Sequence, residues 1–179
     1  PEELGPVNPE KVEAFEIGWK STFWDRRARL NVSLFHQKYD DIQRTVQGPN
    51  ITQRLENAAK ATIQGFEVES SLQPVEGLQL DANVGYTHAA YDEFLKLDLT
   101  GDGIPDPQLA KNLKFDRVPA WTATGAASYA AELGSGMTLT GRASYTYRSG
   151  YYLEVTNRKD AHQNGYGIVD ASLSLQKDN

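Results

Sequence analysis

Between its turn-forming residues this chain repeats one alternation, apolar then polar, at every second position. In Ala28-Arg29-Leu30-Asn31-Val32-Ser33-Leu34, the residues Leu30, Val32 and Leu34 fall on one side, and Arg29, Asn31 and Ser33 on the other. Successive strand residues point to opposite faces, so the segment predicts a strand with one dry and one wet face. The pattern returns at Leu78–Tyr86 and again at Met137–Tyr145. Phe15, Ile17 and Trp19 set a first strand near Val12–Thr22. A second runs from about Arg27 through Tyr39 and on into Asp40-Asp41-Ile42-Gln43. Phe66, Val68 and Leu72 mark a third near Thr62–Leu72, and the fourth starts at Leu78 and reaches Ala90. A fifth follows Pro119 with Trp121, Ala123, Ala127 and Tyr129. The sixth runs from Met137 to about Arg148, and the seventh carries Val169, Ala171, Leu173 and Leu175.

The connections alternate in length. Phe23-Trp24-Asp25-Arg26, Pro74-Val75-Glu76-Gly77 and Leu133-Gly134-Ser135-Gly136 are tight turns, with Pro and Gly where turn geometry wants them. Arg44–Glu56, Tyr91–Phe115 and Gly150–Asn164 read as longer polar loops. The prediction is an all-β, antiparallel up-and-down meander of about seven strands.

Alternation alone leaves two readings. In a soluble barrel or sandwich the apolar face is the core, and such a barrel would bind an apolar ligand inside. In a membrane barrel the apolar face meets lipid and the polar face lines the lumen. Three features favour the membrane. The strands are mostly ten residues or more, against about five or six in globular proteins. Loop length alternates strictly by end. Aromatics gather near strand ends, Phe23 and Trp24 at one rim and Tyr145, Tyr147, Tyr151 and Tyr152 toward the other, as interfacial girdles do.

Composition narrows the classes further. The formal net charge is −6 over 179 residues, and no Lys/Arg run appears, so nucleic acid is not an expected partner. There is no cysteine, which removes disulfide frameworks and thiolate metal sites. No apolar run approaches the roughly 20 residues of a membrane helix, a fact that leaves barrel strands untouched. No signal peptide is visible at Pro1, and the last strand gives way at once to Lys177-Asp178-Asn179. A piece of a longer protein is expected.

Several segments, taken in order, resemble one family. Asn8-Pro9-Glu10-Lys11-Val12-Glu13-Ala14-Phe15-Glu16-Ile17-Gly18-Trp19-Lys20 is similar to a strand opening of TonB-dependent outer-membrane receptors. Leu30–Phe35 followed by Tyr39-Asp40-Asp41-Ile42-Gln43 resembles their next strand. Asn57-Ala58-Ala59 with Gly65-Phe66-Glu67-Val68-Glu69 is similar to the one after, and Val118–Trp121 and Tyr145–Tyr152 also fit. The resemblance implies that residues 1–179 are a late part of a plugged outer-membrane barrel of about 22 strands. The plug, the TonB-contacting box and the terminal strand have no counterpart in the chain. It further implies a role in importing a scarce nutrient, most often an iron–siderophore complex, with cobalamin, haem or oligosaccharide as other cargo. The partners would then be outer-membrane lipid, the cargo, and the TonB complex through parts outside this chain. A passive porin is the alternative transporter.

Candidate chemistry is sparse. Asp98-Leu99-Thr100-Gly101-Asp102-Gly103-Ile104-Pro105-Asp106 has the spacing of the first part of a calcium loop. Asp98, Thr100, Asp102, the Ile104 carbonyl and Asp106 are the candidate ligands. Leu109 stands where the bidentate Glu belongs, and a solvated acidic turn is the competing reading. Glu67 and Glu69 share a strand face and are expected to form a lumen charge ladder with Lys20, Arg29 and Arg142. His36, His88 and His162 show no spacing for a metal site or a triad. With no nucleophile elbow and no phosphate loop, no enzyme is expected. The candidate substrate-facing residues are Arg44, Asn50, Arg54, Tyr151, Tyr152 and Arg158.

Overall fold

A computed structural model describes residues 6–47 and 53–177. Long strands β1 (Lys11–Phe23), β2 (Ala28–Gln47), β3 (Gln53–Leu72), β4 (Leu78–Phe94), β5 (Trp121–Gly134) and β6 (Met137–Arg148) follow one another. Two short strands, β7 (Tyr151–Tyr152) and β8 (His162–Gln163), precede the last long one, β9 (Tyr166–Lys177). The seven long strands form one antiparallel sheet in the order β1-β2-β3-β4-β5-β6-β9, while β7 and β8 pair as a small separate ribbon. The sheet is open: β1 and β9 are its two edges. Its tight turns occupy left-handed backbone, with positive φ at Trp24, Asp25 and Arg26 and at Gly134, Ser135 and Gly136. Each reverses the chain within a few residues. All three lie at one end of the sheet. The 95–120 and 149–165 connections lie at the other.

Register settles which residues share a face, because directly opposed residues in an antiparallel pair lie side by side. Val32 opposes Trp19 and Val68, and Val68 opposes Val84, which opposes Ala123. One row nearer the long loops, Ile17, Leu34, Phe66, Tyr86 and Trp121 follow one another across five strands. Phe66, Tyr86 and Trp121 form an aromatic cluster, with ring centroids 4.7–5.9 Å apart. On the opposite face Lys20, Asn31, Glu69, Asn83 and Thr124 make one row, and Thr22, Arg29, Ser71 and Asp81 another. Asn31 donates from Nδ2 to Glu69 at 3.2 Å. Arg29, Glu69, Asp81 and Arg142 line one recess of this polar face.

The soluble reading required Leu30, Leu80 and Leu173 to pack in a common dry interior. They do not. Leu173 is 74% exposed and Val169 72%, and none of the three leucines belongs to the buried cluster. That cluster (Ile42, Ala58, Ala59, Ala61, Tyr91, Phe94, Leu97 and Ala110) sits at the long-loop end instead. An apolar sheet face this large, left uncovered by its own chain, is built to meet an apolar solvent.

Two expected loops are shorter than the sequence suggests. Arg44–Glu56 continues the β2–β3 ladder, with Gln43 opposite Asn57, Arg44 opposite Glu56 and Thr45 opposite Leu55. A bulge between Tyr39 and Ile42, with Asp41 at φ 58°, adds residues to β2 and breaks the alternation there. β4 likewise runs on to Phe94, past a second irregularity at Lys60/Ala61. No helix was expected; the 95–120 connection holds one turn, α1 (Pro107–Ala110).

The bulge is held by side chains from three separate segments. Asn57 Nδ2 donates to the Asp41 carbonyl at 2.6 Å and to the Asn8 carbonyl at 2.9 Å, while its Oδ1 accepts the Asn8 N–H at 2.6 Å. The Gln43 N–H donates to Glu10 Oε1 at 2.7 Å, and its side-chain amide donates to the Asn8 carbonyl at 3.0 Å. Asn8-Pro9-Glu10, Asp41-Ile42-Gln43 and Asn57 therefore meet as one knot that satisfies the polar groups a bulge leaves unpaired.

Candidate functional site

The long-loop end of the sheet carries the only substantial structure outside the strands among the described residues. β2, β3 and β4 project beyond β5 at this end, since Trp121 pairs with Tyr86 and leaves the last turns of β4 without that neighbour. The 95–120 connection folds back to cover them. Leu95 N–H donates to the Ala58 carbonyl at 2.9 Å, and Thr87 N–H to the Ala120 carbonyl at 2.9 Å. Lys114 bridges to Ala90. Tyr39, Ala61 and Tyr91 share the face of Glu67 and Glu69, so the loop packs over the polar side of the sheet at its upper end. Ala110, on the connection's own helical turn, is fully buried.

Arg44 reaches into this cover from β2. It donates to the Tyr91 hydroxyl at 2.8 Å and faces Asp116 Oδ1 at 3.4 Å. Its guanidinium carbon stands 5.8 Å from the Tyr91 ring centroid and 5.7 Å from that of Phe115, and the two rings stack at 4.2 Å. The cation is thus shared between two aromatic faces and a carboxylate, all half-buried or better. Arg44 was anticipated as substrate-facing. Its charge is spent on holding the loop to the wall.

A second attachment joins the two long connections. Asn157, at φ 54°, accepts the Lys114 N–H on Oδ1 at 2.6 Å and donates from Nδ2 to the Lys114 carbonyl at 2.9 Å. Arg117 N–H donates to the Tyr152 carbonyl at 2.7 Å, and Asp116 bridges to Tyr152. Asn157→Gly keeps the left-handed backbone open but removes both side-chain bonds. At about 0.5–1.5 kcal/mol per hydrogen bond, the Lys114 amide should exchange roughly five- to a hundred-fold faster. Unchanged exchange by mass spectrometry in that peptide would show that the attachment is made elsewhere.

Where these attachments meet, β4 and the two connections line a half-open recess of about 190 Å³. Lys114, Phe115, Tyr151, Tyr152, His88 and His162 line it, together with small residues of both loops. Tyr152 and His162 meet edge to face at 4.8 Å. Tyr151 and Tyr152, expected from the sequence to face substrate, are among the lining residues. Lys114, Phe115 and the two histidines were not, because His88, the Lys114–Phe115 pair and His162 lie 26 to 74 residues apart and only the two folded connections unite them. Arg158 stands apart, exposed and paired with Asp160 and, at 3.5 Å, Glu154. Asn50 lies outside the described residues, and Arg54 enters only through its backbone pairing with Val46.

The acidic loop takes a self-bonded form. Asp98 accepts backbone N–H bonds from Gly101 at 2.6 Å and Gly103 at 2.8 Å. Asp106 accepts those of Leu99 and Thr100 at 2.9 and 3.0 Å, and Asp102 that of Ile104 at 2.9 Å. Calcium ligation by Asp98, Thr100, Asp102, Ile104 and Asp106 needs the carboxylates to converge. Among the described residues no group of three or more His, Asp or Glu side chains is arranged to hold a metal ion.

The amide bonds from Gly101 and Gly103 hold the Asp98 carboxyl below its ordinary range. A depressed carboxyl orders the loop fully above its unfolded value of about 3.9. The contribution is lost as pH falls through the lower folded value. Amide exchange of Gly101 and Gly103 should therefore stay slow through pH 5 and quicken only in stronger acid. Millimolar calcium should leave it unchanged. Slowing by calcium at neutral pH would restore the metal reading.

A family model described as "TonB dependent receptor-like, beta-barrel" matches residues 3–178. Among solved structures, the ferric yersiniabactin uptake receptor FyuA from Yersinia pestis is similar at 22% identity and TM-score 0.70, over 92% of this chain and 22% of that one. BauA, the ferric preacinetobactin receptor from Acinetobacter baumannii, matches at 17% identity and TM-score 0.70, over 96% of this chain and 23% of that one. The siderophore receptor PiuA from Acinetobacter baumannii matches at 23% identity and TM-score 0.66, over 92% and 22%. The chain thus spans less than a quarter of the length of these structures.

Proposed function

This chain belongs to the TonB-dependent receptor β-barrel family, and from that premise we propose that residues 1–179 form part of the barrel wall of a receptor that imports a scarce nutrient, an iron–siderophore complex foremost. Barrels of this family lie in the outer membrane. The apolar face is then the lipid face, and the row of Lys20, Asn31 and Glu69 lines the lumen. The observation that carries the reading is the pairing of two features on one sheet. An uncovered apolar face bears the Phe66, Tyr86 and Trp121 cluster, and a braced loop cover sits over the polar face at the long-loop end. The first suits a lipid boundary, the second a mouth open to the outside.

The role is transport rather than catalysis. Cargo meets the 95–120 and 149–165 connections, and energy coupling to the TonB complex runs through other parts of the receptor. The test is uptake of radioactive iron as ferric siderophores by cells that depend on the full-length receptor. Import abolished by loss of the TonB complex is expected. Uptake that persists without it would favour a passive porin, and uptake of cobalamin without iron would change the cargo.

A further inference from the structure

We infer that the Asn164-Gly165 link is a self-modification site, where the Asn164 side-chain amide is exchanged for an aspartate or isoaspartate carboxylate without any enzyme. The sequence selects the position: no other asparagine of the chain precedes glycine. Ring closure needs the next backbone nitrogen to reach the side-chain carbonyl carbon. A Cβ on the next residue hinders that approach, and glycine has none. Both residues are exposed and lie outside the strands, between β8 and β9. Among the described residues the Gly165 N–H has no hydrogen-bond partner, so no bond must break before it attacks. Asp102-Gly103 is the chain's one Asp-Gly step, and its geometry blocks the same closure. The Gly103 N–H is bound to Asp98 at 2.8 Å, and Asp102 accepts the Ile104 N–H at 2.9 Å.

The chemistry needs only water. The Gly165 nitrogen bonds to the Asn164 side-chain carbonyl carbon, and the bond from that carbon to its amide nitrogen breaks. Ammonia leaves with the proton given up by the Gly165 amide, and a succinimide ring remains. Water then adds to one ring carbonyl, and the C–N bond there breaks as the nitrogen regains a proton. Opening at the side-chain carbonyl gives aspartate. Opening at the main-chain carbonyl gives isoaspartate, with the backbone running through Cβ and Cγ. Nothing is oxidised or reduced. Gln163 assists, because its side-chain amide donates to the Asn164 main-chain carbonyl at 3.0 Å. That bond polarises the peptide, which makes the Gly165 N–H more acidic and the main-chain carbonyl more open to water.

The product matters structurally because the link is short. Gln163 pairs with Tyr151 and Tyr166 with Arg148, so Asn164 and Gly165 alone join the ribbon to the sheet. Isoaspartate adds one methylene to that span, about 1.5 Å of bond. Gly165 has no room to absorb it: a Cβ there would stand 3.2 Å from the Arg148 carbonyl, the Gly150 nitrogen and the Tyr147 hydroxyl. The added length passes to β8, where His162 pairs with Tyr152. Tyr152 in turn accepts the Arg117 N–H at 2.7 Å. Modification at Asn164 therefore loosens the tie between the two long connections and adds a negative charge at their end of the sheet.

The experiment holds the full-length receptor, folded in detergent, at mildly alkaline pH and body temperature. Trypsin releases Asp160–Lys177, and mass spectrometry with electron-transfer fragmentation separates asparagine, aspartate and isoaspartate at Asn164. Asn164 should convert before any other asparagine among the described residues, with isoaspartate the larger product. Asp102 should stay unchanged until the receptor is unfolded. Asn164→Gln should abolish conversion, since its ring would have to be one carbon larger. Gln163→Ala should slow conversion about two- to ten-fold, as loss of one hydrogen bond does. Both positions are exposed, so both variants fold. The Arg117 amide should exchange faster in the converted fraction than in fresh receptor. Conversion only after unfolding, or another asparagine converting first, would overturn the site. An unaltered rate in Gln163→Ala would overturn the part given to Gln163, and equal Arg117 exchange before and after conversion would overturn the loosening.

Discussion

Val32→Arg should largely abolish assembly of the full receptor in the outer membrane, while Asn31→Arg should assemble normally. The two positions are neighbours in β2 and differ only in the face they serve. Val32 lies between Trp19 and Val68 on the apolar side, and Val68 is backed by Val84. A guanidinium there enters hydrocarbon, at a cost of about 2–4 kcal/mol near the bilayer midplane. That is a large share of the roughly 5–15 kcal/mol that holds a domain folded. Asn31 lies on the polar face and donates to Glu69 at 3.2 Å. Arginine in its place keeps a donor for that carboxylate and adds charge where water reaches. The check is the folded fraction, read as the heat-sensitive mobility shift of membrane-extracted receptor. Equal loss from both substitutions would mean that the assignment of faces is wrong.

The second large effect is expected at Gly65. A Cβ built on this residue would lie 2.0 Å from the Tyr86 carbonyl oxygen and 2.7 Å from Cζ of the Phe35 ring. The ring can swing away. The carbonyl cannot, because it belongs to the backbone of β4, the next strand of the ladder. Gly65→Ala should therefore cost about 1–3 kcal/mol or more, as overpacking does, and lower the denaturation midpoint of the assembled barrel. Phe35→Ala in the same chain should not restore it. Gly18 is the control, since the nearest atom to a Cβ there is the Val32 carbonyl at 3.8 Å. Gly18→Ala should be tolerated. Rescue by Phe35→Ala would show that the ring, not the strand, sets the limit.

Strands and faces were legible because their code is local. Side chains alternate every residue, so Leu30, Val32 and Leu34 declare a shared face with no knowledge of their neighbours. Pro74, Gly77, Gly134 and Gly136 mark reversals by the backbone angles they permit, and Gly77, Gly134 and Gly136 do adopt positive φ. Order along the chain then fixed the meander, since each tight turn returns the strand beside its predecessor. The resemblance of Asn8–Lys20, Tyr39–Gln43 and Asn57–Glu69 named the family from the same letters. It gave no reason for them.

The tertiary structure decided what depends on distant pairs. The bulge at Asp41 shifts the alternation, so Arg44 and Thr45 read as loop although they are strand. Its polar groups are met by Asn8, Glu10 and Asn57, residues as far as 49 positions apart. Spacing in the acidic loop suggested a metal, yet the carboxylates bond to nearer amides, because a backbone N–H two to seven residues away costs less to reach than two other charges. Arg44 seemed free for cargo until Asp116 and Tyr91 arrived beside it. His88, Lys114 and His162 seemed unrelated until the two long connections met beside β4. Alternation is written one residue at a time; a site is written in contacts between segments that the chain brings together only when its strands have paired.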